Sequence, residues 1–173
     1  MQEMTKWLDR RFAYEPPAGE FPAIVERLRG TPARVEEKAI RIREAQRLRK
    51  HGEEWSIQEH LGHLVDLEDL WARRTEELVT GALELSAADM SNRTTRERNH
   101  NACSIAAIVA EFRVARGRWV DRLDGVTDAD VVRTSLHPRL KRPMRLIDLC
   151  FFVAEHDDHH LAIVTRLARS QAG

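Results

Sequence analysis

Apolar residues recur at the spacing of an α-helix in four separate segments of this 173-residue chain. The first segment predicts a helix over about residues 20–45. A break near Gly30 stays open as an alternative, with Thr31 as an N-cap and Pro32 as a first helical residue. Its apolar positions are Ile24, Val25, Leu28, Val35, Ala39 and Ile42. This helix therefore presents one apolar face to a core.

The second helix has a start and a stop that are visible in the sequence. Ser56 and Glu59 have the S-x-x-E spacing of a capping box, so we expect the helix to begin there. Gly81 is the expected end, because glycine tolerates the left-handed conformation that closes many helices. The apolar face between these points consists of Ile57, Leu61, Leu64 and Trp71.

Two further helices are predicted in the second half of the chain. One spans about residues 104–124 with Ser104 as its cap, and the other spans about residues 145–169. Between them, Thr127 begins a short capped turn, and residues 135–144 are expected to be irregular because they contain two prolines. The alternation of apolar and polar residues that is typical of strands is nearly absent.

The remaining segments are predicted to connect or extend these helices. Residues 84–101 are rich in Ser, Thr, Asn and charge, and predict a long surface loop. Residues 1–19 form an N-terminal extension, whose aromatic side chains Trp7, Phe12 and Tyr14 could lie against the domain. Four amphipathic helices joined by loops predict an all-α fold, a four-helix bundle, in one domain over residues 1–173.

The balance of acidic and basic residues argues against nucleic acid as a partner. The chain has 28 basic and 28 acidic residues, whereas nucleic-acid binding relies on clustered Lys and Arg. No stretch approaches the roughly 18 apolar residues of a membrane span, and the charged N-terminus lacks the apolar segment of a signal peptide. We therefore expect a soluble, cytoplasmic protein that binds neither nucleic acid nor membrane.

Cysteine supplies no recognisable site. Cys103 and Cys150 lie far apart and form no C-x-x-C pair, which argues against a disulfide scaffold and against a cysteine-rich zinc site. Both are expected to be buried free thiols. Any thiol nucleophile would therefore come from a cosubstrate.

The last helix has histidines where a bundle helix normally has leucine. Residues 154–167 are AEHDDHHLAIVTRL, and His156 and His160 lie one turn apart on the same stripe as Leu149 and Val153. Burial of an imidazole disfavours its charged form and demands a polar partner. The spacing alone leaves two alternatives, hydrogen-bonded core histidines or two ligands of a divalent metal.

A third ligand would have to come from another helix. His60 and His63 both flank the apolar face of the second helix, and metal sites in bundles are commonly built from facing helices. For His60 the preferred interpretation is a boundary residue. His100 and His137 fall in predicted loops and are expected to be solvated, although either could lie at the rim of a site.

Taken together, these residues give the chain a family resemblance over nearly its whole length. It resembles the DinB/YfiT-like superfamily in the order and spacing of four blocks, WSIQEHLGHLVDLEDLW (55–71), NHN (99–101), HPRL (137–140) and AEHDDHHLAI (154–163). The resemblance implies a four-helix bundle that binds one divalent metal. The family's H-L-x-D segment falls on residues 63–66, so the implied ligands are His63, His156 and His160. His159 falls on a position that is often histidine but not a ligand.

The resemblance also implies an activity. Characterised relatives look like thiol-dependent enzymes, namely S-transferases that use bacillithiol or mycothiol and a mycothiol-dependent isomerase, and others are described as metal-dependent hydrolases. Three neutral imidazoles leave at least one coordination position open, where a metal can lower the pKa of water to about 7 or deprotonate a thiol. We therefore expect an S-transferase that uses a metal-activated thiolate, with a low-molecular-weight thiol as cosubstrate.

Two other functions stay open, a metal-dependent hydrolase that uses metal-bound hydroxide and a non-catalytic metal-binding stress-response protein. A cavity that opens onto the metal would favour an enzyme. Zinc and nickel are the expected metals, and a small-molecule substrate and a second copy of the chain in a homodimer are the expected partners. Asp157 and Asp158 are candidates for a nearby acid or base, although surface or supporting positions are preferred for both.

Overall fold

Four long helical segments form the body of the protein, which confirms the predicted all-α bundle. This computed structural model describes residues 4–12, 15–50 and 52–170. The α-helices are α1 (Phe21–Arg41), α2 (Glu44–Arg47), α3 (Ile57–Asp66), α4 (Glu68–Thr80), α5 (Arg93–Glu97), α6 (Ile105–Asp124), α7 (Asp128–Val131) and α8 (Leu146–Ser170). Short 3-10 turns cover Trp7–Asp9, Ala18–Glu20 and His100–Ala102.

Helix α1 and the next long helical segment, the α3–α4 pair, lie on opposite sides of the bundle. Helix α1 packs mainly on α6 and α8, and the α3–α4 pair packs on the same two helices from the other side. The chain therefore crosses the bundle diagonally between α1 and α3. Along α8, the buried apolar residues up to Ala154 belong to one part of the core and those from Leu161 onward to another.

Helix α1 is continuous through Gly30, where the sequence left a break open as an alternative. Thr31 is not an N-cap, because its hydroxyl donates to the carbonyl of Arg27, and Pro32 lies inside the helix. A proline inside a helix leaves the carbonyl four residues earlier without its usual donor. Here that carbonyl belongs to Leu28, and the buried guanidinium of Arg116 donates to it at 3.3 Å. The alternative of a break with Thr31 as an N-cap was therefore wrong, because α6 supplies the missing donor.

The start and stop of the second helical segment are confirmed. The Ser56 hydroxyl accepts from the backbone N–H of Glu59, and the Glu59 carboxylate accepts from the backbone N–H of Ser56. Gly81 closes the segment with a left-handed φ of 77°. The segment is interrupted once, at Leu67, which separates α3 from α4.

A β-hairpin occupies the stretch that was expected to be irregular. Strands β1 (Thr134–His137) and β2 (Arg142–Arg145) pair antiparallel, and Pro143 lies opposite Leu136. The backbone groups of Leu136 bond instead to Leu83 and Leu85, so the missing N–H of Pro143 interrupts no bond of the ladder. The prolines were therefore a poor guide to this segment.

The predicted surface loop at 84–101 is partly ordered and partly buried. It contains α5 and runs into the 3-10 turn His100–Ala102, and the side chains of Thr95 and His100 are both almost fully buried. The prediction that His100 is solvated was therefore wrong. The physical reason is that this segment packs against α3, as described below.

Three smaller predictions can also be compared with the structure. The capped turn at Thr127 is confirmed. The prediction of two buried thiols is correct for Cys150 and wrong for Cys103, which is exposed. Trp7 does lie against the domain, on Phe152, while Tyr14 falls outside the described residues. Within the described part of the chain, every helix is too short or too polar to cross a bilayer.

Candidate metal centre

Three histidines from two helices meet between the two parts of the apolar core. His63 comes from α3, and His156 and His160 come from successive turns of α8. Each is at most 7% exposed, and one ring nitrogen of each lies within 4.8 Å of the corresponding nitrogens of the other two. Among the described residues, the structure thus brings together the same three histidines that the family resemblance implied.

Two of the three ring nitrogens have a spacing close to that around a tetrahedral ion. The Nε2 atoms of His156 and His160 are 3.1 Å apart. Nitrogens bound to a tetrahedral zinc at about 2.0–2.1 Å are about 3.3 Å from one another. The Nδ1 atom of His156 is buried and has no hydrogen-bond partner among the described residues. Two close imidazole nitrogens, beside a ring nitrogen that lacks a partner, fit a metal-binding site better than a hydrogen-bonded core.

A chain of hydrogen bonds behind His63 fixes which of its nitrogens faces the site. His63 Nδ1 lies 3.0 Å from the hydroxyl of Thr95, and Thr95 also bonds the carboxylate of Asp66. The Asp66 carboxylate bonds His100 Nε2 at 2.9 Å. Because the carboxylate accepts the Thr95 hydroxyl proton, that hydroxyl is left to accept from His63 Nδ1–H. The Nε2 lone pair of His63 is then free to bind a metal.

The segment at 99–101 is clamped to the beginning of α3. The Ser56 hydroxyl donates to the Asn101 side-chain oxygen at 2.7 Å, and the Gln58 amide donates to the carbonyls of His100 and Cys103. These bonds connect the capped end of α3 to the residues that support His63. The ordered segment therefore acts as a support for the histidine cluster.

His60 lies beside the cluster and contacts one of its members. Its Nδ1 atom is 3.0 Å from Nδ1 of His160, and its ring packs on Trp55. Because His160 uses Nδ1 for this contact, its Nε2 remains directed at His156. The half-buried His60 is a boundary residue, as preferred from the sequence, and it also orients His160.

Burial keeps the three histidines in the state that a metal requires. Desolvation lowers the pKa of His63 to about 4, and it also lowers the pKa values of His156 and His160, with their imidazole neighbours adding to the effect. Ligand imidazoles must be neutral. The cluster is therefore ready to bind a cation at neutral pH without first releasing protons.

The remaining polar residues of α8 point away from the cluster. The His159 ring packs on Trp7 and stands perpendicular to that of His160. Asp158 is half-buried and pairs with Arg27 and Arg34 of α1. These side chains lie on other faces of α8 and are not brought together with the three histidines.

Asp157 belongs to a fully buried ion network. Arg116 of α6 donates to both oxygens of Glu68 and to both oxygens of Asp157, and all three side chains are at most 3% exposed. Burial raises the pKa of Glu68 to about 7, against the opposing effect of Arg116. Asp157 therefore fixes the rotation of α8 through Arg116 and is not available as an acid or base at the histidines.

A cavity of about 310 Å³ opens onto the histidine cluster. His63 and His156 form part of its wall, and most of the rest is apolar or aromatic, with Trp7, Trp71 and Phe152 among the lining residues. His137 also lines it and is 3% exposed, so the prediction of a solvated His137 was wrong while its expected place at the rim of a site holds. A larger, more open groove of about 800 Å³ runs along α1 and α8 and includes none of these histidines.

Several residues of the site carried no recognisable pattern in the sequence. Thr95 lies in a polar segment without periodicity. Trp7 was expected to lie against the domain, but no pattern linked it to the histidines. Arg74 occupies an ordinary helical position but is 2% exposed and lines the cavity. Only the NHN and HPRL blocks marked the two segments that bring His100 and His137 to the site.

The fold and the site together define a helical bundle with a buried three-histidine cluster beside a cavity. The chain belongs to the DinB superfamily, whose sequence model matches residues 27–164. Among solved structures, it is similar to YfiT from Bacillus subtilis, described as "a probable metal-dependent hydrolase with an unusual four-helix bundle topology". The TM-score is 0.81 at 19% identity over 94% of each chain, which shows a shared fold. No curated protein matches the chain.

Proposed function

We propose that this protein is a divalent-metal-dependent S-transferase that joins a low-molecular-weight thiol to a small electrophilic substrate. The observation that carries the proposal is the convergence of His63, His156 and His160 beside a cavity whose wall includes His63 and His156. A purely structural metal site would be closed by a fourth protein ligand. Among the described residues, no fourth ligand joins the cluster.

The metal would be held by three neutral nitrogens and would keep its full double charge. When bound, it supplies Lewis acidity that lowers the pKa of a thiol or of water in the open position. The histidines orient this chemistry toward the cavity, since Thr95 and Asp66 fix His63 and His60 fixes His160. The aromatic walls exclude water from the reacting groups and so strengthen the electrostatic interactions inside.

The cavity supports a thiol nucleophile because it offers no free general base. Asp89 is the sole carboxylate among the described lining residues, and it already accepts from Ser91 and from the backbone N–H of Arg93. A thiol can release its proton to solvent and bind as the thiolate, so it needs no such base, whereas hydrolysis commonly uses one to transfer a proton. The protein's own Cys103 and Cys150 are absent from the lining, so the thiol would be a cosubstrate.

Hydrolysis is the second candidate function. The structurally similar YfiT is described as a "probable metal-dependent hydrolase". The same open coordination position can activate water instead of a thiol. A metal-binding stress-response role without turnover is less well supported, because a cavity that opens onto the histidine cluster is expected of an enzyme. We also propose a homodimer in the cytoplasm, for which sedimentation of the purified protein is the direct test.

A paired activity screen separates these functions. Protein reconstituted with zinc or with nickel is incubated with monobromobimane and one of four thiols, namely cysteine, glutathione, bacillithiol or mycothiol, and the thioether product is measured. The transferase predicts thioether formation faster than the uncatalysed reaction, an acceleration that requires both metal and thiol and that His160→Ala abolishes. Metal-dependent cleavage of p-nitrophenyl acetate in the absence of thiol, with no thioether formation, would favour the hydrolase instead.

A further inference from the structure

The cavity has a buried cation at some distance along its wall from the histidine cluster. Arg74 of α4 is 2% exposed, and within the described chain no carboxylate forms an ion pair with it. Its Nε and Nη2 atoms donate to the carbonyl of Ser86 at 2.9 and 2.8 Å. The Nη1 group is left facing His137, with Nη1 3.4 Å from His137 Nε2. A buried guanidinium without an anionic partner is costly and calls for an explanation in terms of a ligand.

The hydrogen bonds of His137 decide which of its nitrogens carries a proton. Its Nδ1 atom accepts from the backbone N–H groups of Arg139 and Leu140, at 3.3 and 3.2 Å. Nδ1 therefore carries no hydrogen, and a neutral imidazole must then have its hydrogen on Nε2. Burial and the neighbouring Arg74 lower the pKa of His137 to about 4, so this ring is neutral at physiological pH.

It follows that two donors face each other. Arg74 Nη1 and His137 Nε2 both carry hydrogens, and neither can accept from the other. Both residues line the cavity. Two buried donors at 3.4 Å are satisfied together by an acceptor that lies between them and the cavity. The two oxygens of a carboxylate match a pair of donors, one of which is charged.

The surrounding charges favour an anion at this end. Arg139, an exposed residue of the lining, forms no ion pair within the described residues and adds a second positive charge. Asp89 is the one opposing charge of the lining, and its oxygens are bonded within its own loop. Burial lowers the pKa of Arg74 to about 10, and the charge of Glu77, one turn away, only partly opposes this. The Glu77 carboxylate is itself bonded to the N–H and hydroxyl of Ser86.

Apolar surface connects the two ends of the cavity. The ring of Trp71 lies 5.7 Å from the guanidinium carbon of Arg74 and 6.2 Å from the ring of His156. Trp7 also packs against His156, with ring centroids 5.0 Å apart. A ligand that reaches from Arg74 to the histidines must therefore lie along aromatic rings.

We infer that the substrate is a small organic carboxylate whose anionic group binds Arg74 Nη1 and His137 Nε2, and whose apolar body lies against Trp7 and Trp71. The inference rests on the proposed function, which places the reaction at the His63 and His156 end of the cavity. Arg74 and His137 are specificity-determining residues in this assignment. They select the substrate by its charge and hold its reactive end toward His63 and His156.

Binding of two matched probes tests this assignment without any turnover. We choose 3-phenylpropionate and its uncharged amide, 3-phenylpropionamide, which differ in the anionic group and little in shape. Quenching of tryptophan fluorescence reports binding, because Trp7 and Trp71 line the cavity. The titrations are made with metal-loaded protein and with protein treated with a chelator. We expect the wild-type protein to bind the carboxylate at least tenfold more tightly than the amide in both forms.

Variants locate the charge that makes this difference. Arg74→Gln should bind the two probes within twofold of each other, whereas Arg74→Lys should keep part of the preference. Arg118→Gln removes an exposed arginine of α6 outside this cavity and should bind as the wild type does. If Arg74→Gln fails to fold, the comparison of the two probes in the wild-type protein still decides the question.

Two results would overturn the assignment. One is equal binding of acid and amide by the wild-type protein. The other is a preference that disappears with the metal and survives in Arg74→Gln, since the carboxylate would then bind the ion. Failure of the proposed function alone gives a different result. The protein would then still bind the carboxylate more tightly than the amide, but it would form no thioether in the thiol screen.

Discussion

The ring of His100 occupies the space that a side chain at Gly62 would need. A β-carbon on Gly62 would lie 2.2 Å from Cγ and 2.4 Å from Nδ1 of His100, far inside van der Waals contact. Gly62 precedes His63 in α3, and His100 bonds the Asp66 carboxylate that supports His63 through Thr95. Close approach of the NHN segment to α3 therefore depends on the absence of a side chain at this position.

Substitution of Gly62 by alanine should destabilise the protein although alanine is the better helix former. Overpacking of this kind costs about 1–3 kcal/mol, which exceeds the gain of about 1 kcal/mol in helix propensity. The matched control is Gly117→Ala in α6, where nothing lies within 4 Å of the added carbon and a gain in stability is expected. Urea denaturation of both variants provides the comparison, and a stabilised Gly62→Ala variant would be inconsistent with this packing of His100.

The cap of α3 offers a second matched pair. Ser56→Ala removes the acceptor of the Glu59 N–H and the donor to Asn101, and should lower the free energy of unfolding by about 0.5–2 kcal/mol. Ser104 also precedes a long helix, α6, but makes no side-chain capping bond. Ser104→Ala should therefore be close to neutral. Equal denaturation midpoints for the two variants would count against the capping box.

The buried network around Arg116 should be far more sensitive than a surface ion pair. Arg116→Met leaves two carboxylates buried without their cation and frees the Leu28 carbonyl, at an expected cost of about 3–5 kcal/mol. Arg122→Met breaks the exposed pair with Glu76, for which a change within about 1 kcal/mol is expected. Thermal or urea denaturation of both variants measures the contrast.

The destabilisation of Arg116→Met should also depend on pH. The pKa of Glu68 is raised from 4.5 to about 7 by burial, and loss of the guanidinium can only raise it further. A carboxyl whose pKa is raised on folding binds its proton more tightly in the folded state, so stability falls as pH rises above the unfolded value. The deficit relative to wild type should therefore be smaller at pH 4.5 than at pH 8. A deficit that grows on acidification would contradict this charge assignment.

Periodicity was sufficient for the long helices because their apolar faces are local patterns. Ile57, Leu61, Leu64 and Trp71 are all buried as their spacing predicts. Local sequence was misleading at Pro32, because the donor to the Leu28 carbonyl is Arg116, a residue distant in sequence. The prolines of the hairpin misled for a related reason, since β1 bonds partly to residues 83–85.

The sequence predicted the helices that hold the candidate metal ligands, but not the other residues of the site. The stripe on α8 selects His160 over His159, whereas the choice of His63 over His60 needed the family resemblance. Three residues on a helix differ by only about 60° in direction, too little to decide by the wheel. Thr95 and Arg74 reach the site through tertiary packing, and no local pattern records such contacts.

Metal content of four histidine variants tests the central claim most directly. His63→Ala and His160→Ala each leave two ligands, while His60→Ala and His159→Ala leave the cluster intact and remove neighbours. Loss of an orienting neighbour commonly weakens metal affinity about 10–100-fold without abolishing binding. The four variants and the wild type are loaded with zinc, dialysed together against a weak chelator and analysed by mass spectrometry for bound metal. We predict about one ion per chain for the wild type, His60→Ala and His159→Ala, and almost none for His63→Ala and His160→Ala. Full occupancy in His63→Ala beside an empty His60→Ala would contradict the assignment of this site.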